Sequence, residues 1–154
     1  MTGVNPIPDA YPRVSPHLSI EDCAAALDFY QDVLGATVRM RMDAPGGLVA
    51  HAEIMLGTSV IMLGDTALPN SDPSPHKLGG TPVSLFVYVE DVDEVFRRAV
   101  DAGAAAVSEP EQHFYGDRVA TIDDPFGHRW NLATHVEDIA PDDLERRAAE
   151  AMAS

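Results

Sequence analysis

Apolar residues along the chain follow two rhythms that take turns. Val14 to Ser19 reads as a short strand. From Glu21-Asp22 the spacing lengthens, and Ala26, Leu27, Phe29, Tyr30, Val33 and Leu34 recur at helical intervals until Gly35. Carboxylates suit the positive end of a helix dipole and glycine suits its C-terminal cap, so the spacing predicts a helix between them. Thr37 to Met42 then alternates as a strand, with Arg39 and Arg41 on one face and Val38, Met40 and Met42 on the other. Asp43 to Gly47 is a turn cluster, and Leu48 to Leu56 alternates again. Strand side chains repeat every second residue, which puts His51 and Glu53 on one face. Ser59 to Leu63 is a short apolar strand after the Gly57-Thr58 turn.

The stretch from Asp65 to Pro82 is poor in apolar residues and rich in proline and glycine, so no regular structure is expected there. Both a loop covering a pocket and a plain linker suit such a segment. The rhythm then returns: strand Val83 to Val89, helix Val92 to Ala102, strands Ala104 to Glu109, Arg118 to Ile122 and His128 to Thr134. Gln112 to Asp117 and Asp123 to Gly127 read as turns. Ser15 and Ser84, and Glu21 and Glu90, each lie 69 positions apart, so the chain carries a duplicated βαβββ unit. The boundaries expected are a flexible N-terminal arm at 1–13, modules at 14–65 and 83–135 within one domain at 14–135, a linker loop at 66–82, and a helical extension at 136–154. Within that extension, Ala140 to Ala153 has the pattern of a helix.

Composition narrows the field. With 154 residues, 45% hydrophobic and 23% charged, the chain has the profile of an ordinary globular protein. No apolar run approaches the roughly 20 residues that span a bilayer, and the first residues lack the features of a signal peptide. A net charge of −15 disfavours nucleic acid, which requires a basic footprint, while it permits a cationic ligand. The single cysteine, Cys23, excludes an intramolecular disulfide and fits a reducing cytoplasm; it is expected to serve packing.

Several side chains carry candidate chemistry. A histidine beside a carboxylate is a proton-transfer pair, because the carboxylate fixes the tautomer and raises the basicity. His51 and Glu53 are that pair and the candidate catalytic residues; Tyr115, Asp117 and His17 are further acid–base candidates. In Tyr115-Gly116-Asp117-Arg118, glycine permits an unusual backbone angle and Arg118 is placed to meet an anionic group. Phe86, Tyr88 and Trp130 are candidates for the floor of an apolar pocket. No nucleophile elbow, phosphate-binding glycine loop, CxxC or HExxH motif occurs.

Ala25-Ala26-Leu27-Asp28-Phe29-Tyr30 with Val33-Leu34-Gly35 resembles the helix signature of the vicinal oxygen chelate superfamily, which includes glyoxalases, extradiol dioxygenases and bleomycin-resistance proteins. Asp124-Pro125-Phe126-Gly127-His128 resembles its turn before the final strand. His51-Ala52-Glu53, Gly79-Gly80-Thr81-Pro82, and Gln112 with Tyr115-Gly116-Asp117-Arg118 are similar to the PhnB-like branch. The resemblance spans residues 14–135. It implies an α+β fold of two tandem βαβββ modules forming a curved mixed sheet around a cleft, commonly in a homodimer.

Metal enzymes of that superfamily draw His, Glu or Gln ligands from the first and last strands of each module. The matching first-strand positions here are Ser15 and Ser84; the last-strand positions are Asn131 and either Ile61 or Met62. A neutral hydroxyl is a weak ligand and an isoleucine is none, so no cofactor is expected at the usual positions. His17, His51 and Glu53 form an alternative set for a divalent metal ion. Three functions follow. The first is a metal-free protein binding a small organic molecule, with Ser15, His17, Ser84, Phe86, Tyr115, Asp117, Arg118, Trp130 and Asn131 lining its site. The others are a metal-dependent lyase, isomerase or dioxygenase with relocated ligands, and a metal-free acid–base enzyme.

Overall fold

The computed structural model describes residues 3–154, and the chain divides after Gly80 into two compact units. In the first, β1 (His17–Ile20) leads to α1 (Cys23–Leu34), then to β2 (Thr37–Ala44), β3 (Leu48–Leu56) and β4 (Ser59–Asp65). The sheet order is β1-β4-β3-β2, with β1 parallel to β4 and the other pairs antiparallel. Leu18 and Ile20 of β1, Ala52 and Ile54 of β3, and Ile61 and Leu63 of β4 are buried on one sheet face, as are Ala26, Leu27 and Tyr30 of the helix that packs against this sheet. Alternation leaves His17, Met62 and Glu53 on the other face.

The start of α1 is fastened by a buried carboxylate. Asp65 Oδ1 accepts from the backbone N–H of Asp22 (3.2 Å) and Cys23 (3.0 Å), and Oδ2 from that of Val49 (2.6 Å). The negative charge also complements the helix dipole. Asp22 caps the helix through Ala25 N while holding φ at 90°, and Gly35 ends it at φ 71°, where a glycine is unstrained.

Two expectations for this unit are corrected. The first strand begins at His17 and not at Val14, so Ser15 lies before it: Pro16 has no N–H to give to a ladder, although its carbonyl accepts from Met62 N (2.9 Å). The stretch 66–82 is not wholly irregular. Pro75–Leu78 forms a helical turn, α2, with Ser74 accepting from Lys77 N and Gly79 closing it. Serine at the cap, proline next and glycine at the end are the start and stop signals of a helix, here compressed to one turn. Ser74 Oγ also donates to the Glu21 carboxylate.

The second unit repeats the plan with β5 (Ser84–Tyr88), α3 (Val92–Asp101), β6 (Ala105–Gln112), β7 (Asp117–Asp123) and β8 (Arg129–His135), in sheet order β5-β8-β7-β6. Ala120, Ile122, Trp130 and Leu132 are fully or almost fully buried, and α3 packs on β6, β7 and β8. The Asp124–His128 turn is organised by its aspartate. Oδ1 accepts from Phe126 N and His128 N (both 2.9 Å), and Oδ2 accepts from the Trp130 indole N–H (2.9 Å). After β8, α4 (Pro141–Met152) is tied back by Arg147, which forks onto the Glu137 carboxylate (2.7 and 3.1 Å). Among the described residues no helix is long and apolar enough to cross a membrane.

Candidate functional site

In the first unit the polar side chains of the face opposite α1 converge on Glu53. This residue is 1% exposed, yet it is a carboxylate in mid-strand. The Tyr11 hydroxyl donates to both of its oxygens (2.8 and 3.0 Å). Arg39 Nε lies 3.4 Å from Oε1, and His51 Nε2 lies 3.1 Å from Oε2. The two ladder partners of Glu53 are Met40 on β2 and Met62 on β4.

Arg39 reaches this face because β2 is irregular. The register passes from Val38–Ile54 directly to Met40–Glu53, so Arg39 and Met40 together oppose Glu53. A bulge of this kind re-aims a side chain that strict alternation would send elsewhere. The guanidinium lies over the Tyr11 ring, 4.3 Å from its centroid, and Nη1 donates to the Ala10 carbonyl (3.0 Å).

Burial acts to raise the Glu53 carboxyl pKa. The hydrogen bonds from His51 and Tyr11 and the charge of Arg39 outweigh it, and the group is held below the ordinary carboxylate range. The Tyr11 phenol is pushed up, chiefly by its hydrogen bond to that anion. An ionised carboxylate only accepts, so His51 Nε2 carries the proton between them, an arrangement that in a neutral imidazole leaves the lone pair on Nδ1. The His17 ring stacks near His51, with centroids 6.1 Å apart and planes 25° from parallel.

The set of His17, His51 and Glu53 does not fit a divalent cation as placed. Both Glu53 oxygens already hold donors, and among the described residues no group of three His, Cys, Asp or Glu is positioned to hold a metal ion. Register also resolves the last-strand position. His17 pairs with Met62 as Phe86 pairs with Asn131, so Met62 is the counterpart of Asn131 and Ile61 faces the helix. A thioether is a poor ligand for a hard cation.

The second unit gathers a different cluster. Asp117, 4% exposed, accepts from the Tyr88 hydroxyl (2.8 Å) and meets His135 Nδ1 at 2.7 Å, while His135 Nε2 meets Asp138 at 2.8 Å. Burial acts to raise the Asp117 carboxyl, but His135 and Tyr88 hold it below the usual range; the same bond raises His135. Tyr88 and Phe86 lie on the face opposite α3, exposed by 62% and 50%, with ring centroids 5.4 Å apart. Asn131 pairs with Phe86 and accepts from Thr121 Oγ1 (2.8 Å). Ser84 is exposed on the same edge, opposite Arg129. Tyr115 stacks on His113 with centroids 5.3 Å apart.

Two expected roles are corrected. Trp130 does not share a face with Asn131, because adjacent strand residues point oppositely; it is 1% exposed and bonded to Asp124, a core position. Arg118 is not held ready for an outside anion: its guanidinium forks onto Asp93 of α3 (2.7 and 2.8 Å). Ser15 is placed just before β1, with its hydroxyl buried and unpartnered among the described residues. Sequence reasoning missed Tyr11 and Arg39. The one aromatic residue in a proline-rich arm was the available signal for Tyr11, whereas the bulge that turns Arg39 left none.

A family model described as Glyoxalase/Bleomycin resistance protein/Dioxygenase superfamily matches residues 14–132. An uncharacterized protein of Mycobacterium tuberculosis is 37% identical over 137 residues, 87% of this chain and 81% of its own length. A lactoylglutathione lyase of Neisseria meningitidis is 29% identical over 113 residues, 73% of this chain and 82% of its own. The crystal structure of TioX from a Micromonospora species superposes with a TM-score of 0.62 at 28% identity, covering 81% of this chain and 99% of TioX. A PhnB protein from Bacillus cereus shares the fold at 19% identity, with a TM-score of 0.62 and coverage of 80% and 99%.

Proposed function

The chain belongs to the glyoxalase/bleomycin resistance protein/dioxygenase superfamily, and from that premise we propose that it binds a small organic molecule at the Glu53–His51 centre without the superfamily's usual metal site. The observation that carries this reading is the ionised, buried Glu53 carboxylate gripped by three donors where a ligand set would need free oxygens. Such a centre selects a ligand by hydrogen-bond donation, and His17 and His51 add flat surfaces beside it. The exposed pair Phe86 and Tyr88 is a second candidate contact surface, of the kind that stacks an aromatic ligand. A homodimer in the cytoplasm completes the proposal. A thermal-shift screen against aromatic metabolites and basic glycopeptides tests it, with stabilisation by some members that Glu53→Gln abolishes as the expected result. No stabilisation across the panel refutes it.

A second reading rests on the His51 tautomer. With its Nε2 proton fixed on Glu53, the ring offers Nδ1 as a general base of the kind used in metal-free proton transfer. Retained turnover after exhaustive chelation, lost in His51→Ala, separates it from pure binding. The relative named lactoylglutathione lyase keeps a metal-dependent lyase in the comparison. Nickel, zinc, manganese or iron retained at about one equivalent after loading, the stoichiometry of a specific site, overturns the metal-free premise.

A further inference from the structure

We infer that the Glu53 centre is a receptor for a phenolic hydroxyl, and that Tyr11 occupies it as a built-in ligand that a small phenol displaces. This rests on the proposed binding function and names its ligand class. Among the described residues, the segment 3–13 contains no helix or strand, and its hydrogen bonds to the sheet are made at Tyr11 and at the Ala10 carbonyl. Pro6, Pro8 and Pro12 have no N–H with which to add others. A loosely fastened strap has therefore placed one aromatic hydroxyl on a carboxylate that, with the hydroxyl in place, is 1% exposed.

The contacts of that side chain read as a recognition pattern. Glu53 accepts the hydroxyl's hydrogen bond on both oxygens, and Arg39 covers the ring as a cation over a π face. His51 closes the remaining side of the carboxylate. A carboxylic acid is disfavoured because its anion meets Glu53. An aromatic ring without a hydroxyl leaves a buried charge short of a donor, and an aliphatic alcohol forfeits the Arg39 contact. A phenol satisfies all three, and it exchanges with Tyr11 without new charge or covalent change.

Tethering gives Tyr11 a high effective concentration, so it weakens the apparent affinity for any free phenol. Calorimetric titration of the full chain with p-cresol, the side chain of tyrosine, measures this. Tyr11→Ala is expected to bind p-cresol at least about tenfold more tightly than the parent, with toluene and benzoate failing to bind. Adding Glu53→Gln to that variant should cancel the gain. Tyr11→Phe keeps the ring over Arg39, and it should give a smaller tightening; it serves if Tyr11→Ala does not fold.

Equal binding of p-cresol and toluene, or no dependence on Tyr11 or Glu53, overturns the phenol assignment. If p-cresol fails while another compound stabilises the protein through Glu53, the phenol class falls and the binding function stands. If neither binds, both fall.

Discussion

Replacing Asp65 isolates the contact that fixes the first unit's helix to its sheet. The carboxylate is 4% exposed and accepts three backbone N–H groups, from Asp22, Cys23 and Val49. In Asp65→Ala, Asp22 is exposed enough to bond water, but Cys23 and Val49 are fully buried and their donors are orphaned. An orphaned buried donor costs about 1–3 kcal/mol, and the helix start loses a negative charge worth up to ~1 kcal/mol. The sum is about 4 kcal/mol, a large share of the roughly 5–15 kcal/mol that holds a domain together. Asp65→Asn keeps one acceptor but turns an NH2 toward the other donors, so about half that loss is expected. Urea unfolding followed by circular dichroism reads the effect. At a slope of about 2 kcal/mol per molar urea, the alanine midpoint falls by ~2 M. An alanine variant within ~0.5 kcal/mol of the parent, or one more stable than the asparagine variant, would refute the reasoning.

Gly116→Ala should cost about 2 kcal/mol or more, because φ is 93° and a Cβ would run into the Glu137 carbonyl oxygen; a melting temperature unchanged within error would show that the turn relaxes freely. Asp22 holds φ at 90° while its side chain accepts from Ala25 N, so Asp22→Gly should lie within ~1 kcal/mol of the parent and above Asp22→Ala in chemical denaturation; alanine equal to or above glycine would mean that the backbone carries no strain at this position. Glu53 and Asp117 have folded-state pKa values below their ordinary ones, so their stabilisation is complete above the ordinary carboxylate range and is lost as pH falls through the depressed values. Melting temperature should therefore drop steeply below about pH 4, with a shallower acid limb in Glu53→Gln; parallel limbs would contradict the coupling.

Much of the scaffold was legible because its signals are local. The helix over Cys23–Leu34 lies between an acidic start and Gly35, and β3 ends where alternation ends. The doubled rhythm gave the second sheet the same order as the first. The Asp124 turn was visible as a motif, although its cause, an aspartate bonded to two backbone amides and an indole, is a matter of geometry. Less of the site was legible. His51 and Glu53 follow from a period of two, and they do meet. Trp130 and Asn131 were grouped by chemistry although that same period separates them. Arg118 looked free because its partner, Asp93, is 25 residues away on another element. Arg39 enters through a bulge, and a one-residue slip in register leaves no mark in a pattern of alternating residues.

The duplication sharpens what the site is. Equivalent rows can be matched by register: His17, Met62 and Glu53 in the first unit correspond to Phe86, Asn131 and Thr121 in the second. The backbone positions are alike, so the difference lies in the side chains. An amide, a hydroxyl and an aromatic ring position a ligand, but none of them holds a charge near neutral pH. The first unit's row carries an ionised carboxylate and two imidazole rings close by. The second unit places its carboxylate elsewhere: Asp117 lies four residues before Thr121 on β7 and meets His135, whereas in the first unit Glu53 stands in the row itself, beside a last-strand methionine. A thioether is a poor ligand for a hard cation, and both oxygens of the carboxylate beside it already accept hydrogen bonds.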